Sequence, residues 1–241
     1  MDAKEAKRIV DYVFKDIFGT DNPYTLEQSM ALYAYDIPLP HKMKSNISSG
    51  QETWGDFPEG AKVTSQADLI MKSAKDEFMR PKKPINSMND ITKMWDEINI
   101  YTGERYMDTK EAAESDGLYS SYGVYRSLLQ KSSQYVVFCY NNLNCKYLVG
   151  SRDSGGSANS IRLDNSANSS SCYEVVWCKK VSRCFYVNNC YDMFECMFCN
   201  NISSKKYCIG NMQFEKEEYM KIKDMVIKWI MDDLKKKAGK G

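Results

Sequence analysis

The sequence predicts an α+β chain: a helical N-terminal region, then a parallel β-solenoid of short, twelve-residue coils, then a C-terminal capping helix. Three observations carry this. Ser or Cys recurs every sixth residue: Ser121, Ser127, Ser133, Cys139, Cys145 and Ser151, then, after three inserted residues, Ser154, Ser160, Ser166, Cys172, Cys178, Cys184, Cys190 and Cys196. A second rhythm has twice that period, with Val124, Val136 and Leu148 twelve apart, and likewise Leu163, Val175, Val187 and Cys199. Each lies in a β-prone cluster such as Val136-Val137-Phe138 or Val175-Val176-Trp177, and polar stretches such as Asn188-Asn189 separate the clusters. Finally, amphipathic helical patterns flank the periodic stretch on both sides. A fixed period of this kind marks a repeat architecture.

Twelve residues cannot hold two helices, but they hold two short strands and two tight turns. A flattened, two-sided coil is therefore expected. Coils stack about 4.8 Å apart through parallel ladders, so seven register points imply a rod of about 34 Å. An eighteen-residue, three-sided coil is the rival, because six divides both lengths. The position three after each Ser or Cys favours twelve: Val124, Gln130, Val136, Asn142, Leu148 alternate large and polar. Ser and Cys have similar volumes and exchange at one repeat position, so small size is what a narrow interior selects there. Gly155-Gly156, beside the inserted residues, suits a bulged turn leaving the stack.

In chain order, residues 1–116 form the helical and loop region, 117–214 the solenoid and 215–241 the final helix with a basic tail. Residues 2–18 carry an apolar face of Ala6, Ile9, Val10, Val13 and Ile17, with Gly19 as the stop. Thr25 followed by Gln28 is a capping box for a second helix, which Pro38 and Pro40 follow. Residues 41–60 have loop signals, with Trp54 and Phe57 as anchors. Ser65 and Asp68 open a helix apolar at Ala67, Ile70, Met71, Ala74 and Phe78, and Ser87 with Asp90 opens another. The buried stripe expected on the latter is Ile91, Met94, Trp95 and Ile98. Asp108–Glu114 is expected to be a last helical turn capping the first coil. Lys216–Lys237 is amphipathic, with Tyr219, Ile222, Met225, Val226, Trp229 and Ile230 facing one way. Solenoid ends expose strand edges and need caps, and the flanking helices are placed to supply them.

The segment Tyr207-Cys208-Ile209-Gly210-Asn211-Met212-Gln213-Phe214, followed by Glu217-Glu218-Tyr219, resembles the ending of a group of uncharacterised Cys-, Ser- and Asn-rich β-solenoid repeat proteins of candidate-phyla bacteria and large phages. Ala31-Leu32-Tyr33 with Ile37-Pro38-Leu39-Pro40 is similar to a segment before their repeats. The likeness covers mainly residues 115–225 and implies the repeat fold. Many of those proteins carry Cys pairs upstream that resemble small zinc modules, whereas this chain has no Cys before Cys139.

Composition excludes little. The net charge is +1 and charged residues make up 27% of the chain, so no strong field points to a membrane or to specific nucleic acid binding. Neither a secretory signal nor a transmembrane run is visible, which suggests an intracellular or virion-associated protein. The nine cysteines are odd in number and crowd toward the C-terminal half, which argues for reduced thiols. Cys196-Met197-Phe198-Cys199, with Cys190 and Cys208, has the ligand types of a zinc site. The competing reading assigns all four to the packing rhythm, and no cofactor is expected. His41 is the only histidine and lies in a loop. Asp153 and Asp164 beside the insertion could line a carbohydrate groove. No Walker loop, dinucleotide fingerprint or EF-hand string is present. Tyr122, Tyr125, Tyr140, Tyr173 and Tyr191, with Trp229, are candidates for an interaction surface. The function expected is non-enzymatic: a structural protein docking onto protein partners in a larger assembly, such as a phage or virus-like particle. A zinc- or glycan-binding module is the alternative, and a solenoid carbohydrate-active enzyme ranks last.

Overall fold

A computed structural model describes residues 1–48 and 50–239. Helix α1 (Ala3–Phe18) starts at Asp2, whose side chain accepts the Glu5 N–H, and stops at Gly19 in the left-handed region. Helix α2 (Leu26–Tyr33) opens on the expected Thr25–Gln28 capping box. Residues 41–60 are not all loop, since His41–Lys44 pairs antiparallel with Glu52–Gly55. Phe57 is buried as an anchor, and Trp54 lies against the Arg126 guanidinium. Helices α3 (Gln66–Ser73) and α4 (Met88–Ile98) carry the predicted serine caps, and Lys62–Ser65 pairs parallel with Ile100–Gly103. Helix α5 (Lys216–Ala238) ends the described chain. No helix among the described residues is long and apolar enough to cross a membrane.

Between residues 106 and 209 the chain winds into about nine parallel coils, a rod of about 43 Å at the usual strand spacing. The register is twelve throughout: Val124 pairs with Val136 and Val136 with Leu148, and Leu163 pairs with Val175 and Val175 with Val187. Eighteen-residue coils are excluded in both halves. The stack begins earlier than expected. Lys110–Ala113 is a strand paired with Tyr122–Tyr125, not a turn of helix, because its partner strand overrides the helical propensity of Glu-Ala-Ala-Glu.

The coils are not two-sided. From Asp108 to Gly210 every third residue has φ between +43° and +68°. Each coil therefore turns four corners, and the residue after each corner points inward. The inward positions form four columns. In the first half the bulky side chains occupy two opposite columns (Val124, Val136 and Leu148; Leu118, Gln130 and Asn142), while Ser and Cys fill the other two. In the second half the arrangement is rotated by one side: Leu163, Val175, Val187, Val181 and Met193 are now on the formerly small columns. Between the halves lies one coil whose four inward residues are all serine, Ser151, Ser154, Ser157 and Ser160, each buried. The apparent three-residue insertion is this rotation. Nothing leaves the stack, for Gly155 pairs with Leu143 below and Ala167 above, and Leu148 faces Ser160 rather than Leu163.

The small columns are selected for hydrogen bonding as well as size. The Ser127 hydroxyl donates to the Tyr125 carbonyl (2.9 Å) and accepts the Cys139 N–H one coil on (3.0 Å). Ser151 and Ser160 repeat the pattern, with Leu163 and Cys172 as the donors above them. Cysteine can stand in, as where Cys178 donates to the Val176 carbonyl and accepts the Cys190 N–H at 3.3 Å. The Asn142 amide oxygen accepts the Ser154 N–H in the same way. A buried amide left without an acceptor costs about 1–3 kcal/mol, so each of these side chains spares the amide above it that cost.

Helix α1 does not sit on an end of the rod. Helix α1 lies along one side, burying the outward column Tyr125, Val137, Val149, Ile161, Tyr173 and Phe185 beneath Ile9, Val13, Phe14 and Phe18. Helix α5 packs on α2 and the last coils through Tyr219, Val226, Ile230 and Leu234. Gly150 stands at a left-handed corner where an added Cβ would collide with the Tyr33 carbonyl oxygen, so glycine lets the end of α2 dock there. At the C-terminal end, Met212–Gln213 folds back antiparallel on Ser203–Ile209. There Lys205 takes an inward column position but stays exposed, a charge that keeps a further strand from adding.

The ladder makes a measurable distinction. Ser127→Cys should shift the urea unfolding free energy by less than about 1 kcal/mol, because donor, acceptor and approximate size are kept. Ser127→Ala should cost about 1–3 kcal/mol by stranding the Cys139 amide, and Ser127→Leu at least as much by overpacking. Equal tolerance of all three would refute the hydrogen-bonded interior.

Candidate interaction surface

The amphipathic stripe of α4 is exposed, contrary to expectation: no residue of this helix is buried. Trp95 is 58% accessible, and Met88, Ile91 and Ile98 are exposed with it. Ile70 and Met71 on α3, and Phe78, Met79 and Ile85 between the helices, are also uncovered. The region is nevertheless fixed to the rod. Gln66 accepts the Tyr106 N–H at 2.7 Å, and the buried Asp116 carboxylate takes the Arg105 amide and guanidinium at 2.6–3.0 Å. Apolar side chains thus gather on an anchored projection beside the first coils.

Of the predicted surface aromatics, Tyr122 and Tyr191 are exposed and Tyr140 is half-buried, while Tyr125 and Tyr173 lie in the core. The correction has a simple cause, since α1 covers the side of the rod on which Tyr125 and Tyr173 stand. Trp229 is also unlike its expectation as a buried cap residue. It is 51% exposed and leans edge-on against Tyr186 and Phe198, whose rings stack 5.0 Å apart.

The polar candidates are engaged. Asp153 accepts from the Asn141 amide at 2.6 Å, and Asp164 pairs with Arg152 at 2.6 Å on the rim of a small depression of about 100 Å³ that it shares with Arg162 and Glu174. His41 opens the hairpin strand and meets Phe57 edge-on at 5.7 Å. Arg162 forms a clamp that no sequence motif announced: it binds Asp36 (2.7 Å), Glu174 (2.6 Å) and the Tyr33 carbonyl (3.1 Å), with Tyr35 under its guanidinium. Burial pushes the Glu174 carboxyl up against the pull of Arg162, while the hydrogen bond from Arg162 holds Asp36 down. The clamp ties the end of α2 to the rod and acts structurally.

All nine cysteines are free and buried. Cys190, Cys196, Cys199 and Cys208 point inward in the packing columns, and each donates to a backbone carbonyl or stacks one coil from another thiol. Among the described residues no three Cys, His, Asp or Glu side chains converge as a metal site would require. Comparison with known protein families, with curated proteins and with solved structures gave no match.

The buried thiols give a pH prediction. Burial pushes Cys178 up to about 11, and the Cys184 thiol and burial push Cys196 up to about 12. An unfolded thiol ionises near 8.5. Above that value the unfolded state binds fewer protons than the folded one, so stability falls as pH rises, until the folded thiols also ionise. Urea midpoints should therefore be level from pH 7 to about 8 and drop between about 8.5 and 11. A Cys178→Ser, Cys196→Ser variant should lose less over that window, and an unchanged slope would count against neutral packed thiols.

Proposed function

We propose that this chain is a non-enzymatic docking scaffold, a rigid β-solenoid that presents the α3–α4 projection to a protein partner in a larger assembly. The observation that carries the reading is the α4 stripe. Met88, Ile91, Trp95 and Ile98 recur at helical spacing on one face, yet the fold leaves them in water. Contiguous exposed apolar patches of this kind mark interaction sites, and a Trp at the centre of such a stripe is a typical binding anchor. The rest of the architecture supports the role. The interior is filled by side chains, and the carboxylates weighed as catalytic candidates are committed to structural pairs.

The test separates docking from folding. Replacing Ile91 and Trp95 together by Asp should leave the chain's own unfolding free energy within about 0.5 kcal/mol per site, as at other surface positions. Cross-linking followed by mass spectrometry on the tagged protein in its native host should find a stoichiometric protein partner bridged through residues 66–98, and the double variant should lose it. A partner captured equally by both forms, or bridges confined to other faces, would overturn the assignment.

A further inference from the structure

We propose that the C-terminal coils bind single-stranded nucleic acid, with Trp177 as the stacking platform and Lys179, Lys180, Lys205 and Lys206 as its phosphate contacts. The starting point is an anomaly of the corner positions. A bulky residue in the left-handed region is a genuine outlier, and such outliers persist where something else repays them. The other aromatic corners are repaid by packing: Tyr135 stacks on Tyr147 at 4.7 Å, Phe138 is buried beside Tyr125, Tyr186 stacks on Phe198, and Tyr207 tilts onto Tyr219 at 5.5 Å. Trp177 has φ +54°, is 62% exposed, and meets no aromatic ring or cation among the described residues. Its neighbours one coil either way at the same corner are Asn165 and Asn189, a residue type that tolerates this backbone. The indole is thus not repaid by ring stacking as the other aromatic corners are.

The surroundings identify the ligand. Lys179 and Lys180 follow Trp177 after the inward Cys178, and the ladders place Tyr191 over Lys179 and Lys206 over Phe194. None of the four lysines pairs with a carboxylate among the described residues. Lys180, Lys205 and Lys206 line a depression of about 330 Å³ with Ser182 and Phe194. Its one carboxylate, Asp192, faces the Ser204 hydroxyl at 3.4 Å. On a chain of net charge +1 this is a local cationic patch, and Tyr191 adds a second, half-exposed ring. Unpaired cations interleaved with free aromatic faces are the elements of sequence-tolerant single-strand binding: phosphates meet the ammonium groups and unpaired bases stack on the rings. A duplex would keep its bases from Trp177. The surface lies apart from the α3–α4 projection and does not rest on it.

Fluorescence anisotropy with labelled oligo-dT and oligo-U of about twelve nucleotides tests the assignment. The full chain should bind both at about 50 mM salt and more weakly at about 200 mM. Trp177→Asn should weaken binding about tenfold, as loss of one stacked base does, with an unchanged thermal melt because Asn suits that corner. Lys205→Glu with Lys206→Glu should lower the slope of log affinity against log salt by roughly 1.4. No binding at low salt, wild-type affinity in Trp177→Asn, or tight binding of a uronic acid oligosaccharide in place of the oligonucleotides would each overturn the proposal.

Discussion

Every third residue of the solenoid sits in the left-handed region, and the rest of the structure follows from that. Four corners per coil leave room for one inward side chain on each side, and a square that small accepts two bulky groups only if the other two are small. The same geometry points some backbone amides inward, out of reach of the strand ladders. Serine answers both demands, being short and carrying a hydroxyl that can donate down its own chain while accepting from the coil above. Corners in non-glycine residues cost about 1–2 kcal/mol each. Stacking on both sides offsets that cost, so a coil is stable only with neighbours, as in other one-dimensional repeat folds.

The outside of the rod is divided by what covers it. One side is apolar and lies under α1, with the end of α2 brought close by Gly150 and fixed by Arg162. The other sides face water and are lined largely by Asn, Ser and Lys. Against that background, the stripe of α4 and the indole of Trp177 stand exposed. They lie on different parts of the molecule and differ in chemistry, the first apolar and the second aromatic and cationic.

The twelve-residue coil was legible in the sequence because Val124, Val136 and Leu148 stack directly, and a column of like residues is a period. The underlying triplet was not, because Gln130 and Asn142 share a column with Leu118, and so the intermediate beats look like turns. Helix starts at Thr25, Ser65 and Ser87 were readable because capping is settled within four residues. Asp108–Glu114 misled for the opposite reason: its local propensity is helical and its conformation is set by a strand twelve residues away. The surface was least legible. Whether Tyr125 or Tyr122 faces water depends on which side α1 chooses, and an amphipathic pattern such as that of α4 records an apolar face without recording its cover.

The all-serine coil shows what the triplet allows. Any gain or loss of three residues returns each corner to a corner and each inward residue to the interior, and changes only which pair of columns is bulky. A coil made entirely of small, self-satisfied side chains can join two such phases without a clash, since it presents the same face to either. The rod can therefore change length in steps of a quarter coil, nine nucleotides of coding sequence at a time, wherever a serine coil marks the seam. What limits such changes is the outer column under α1, whose apolar residues recur only once per full turn.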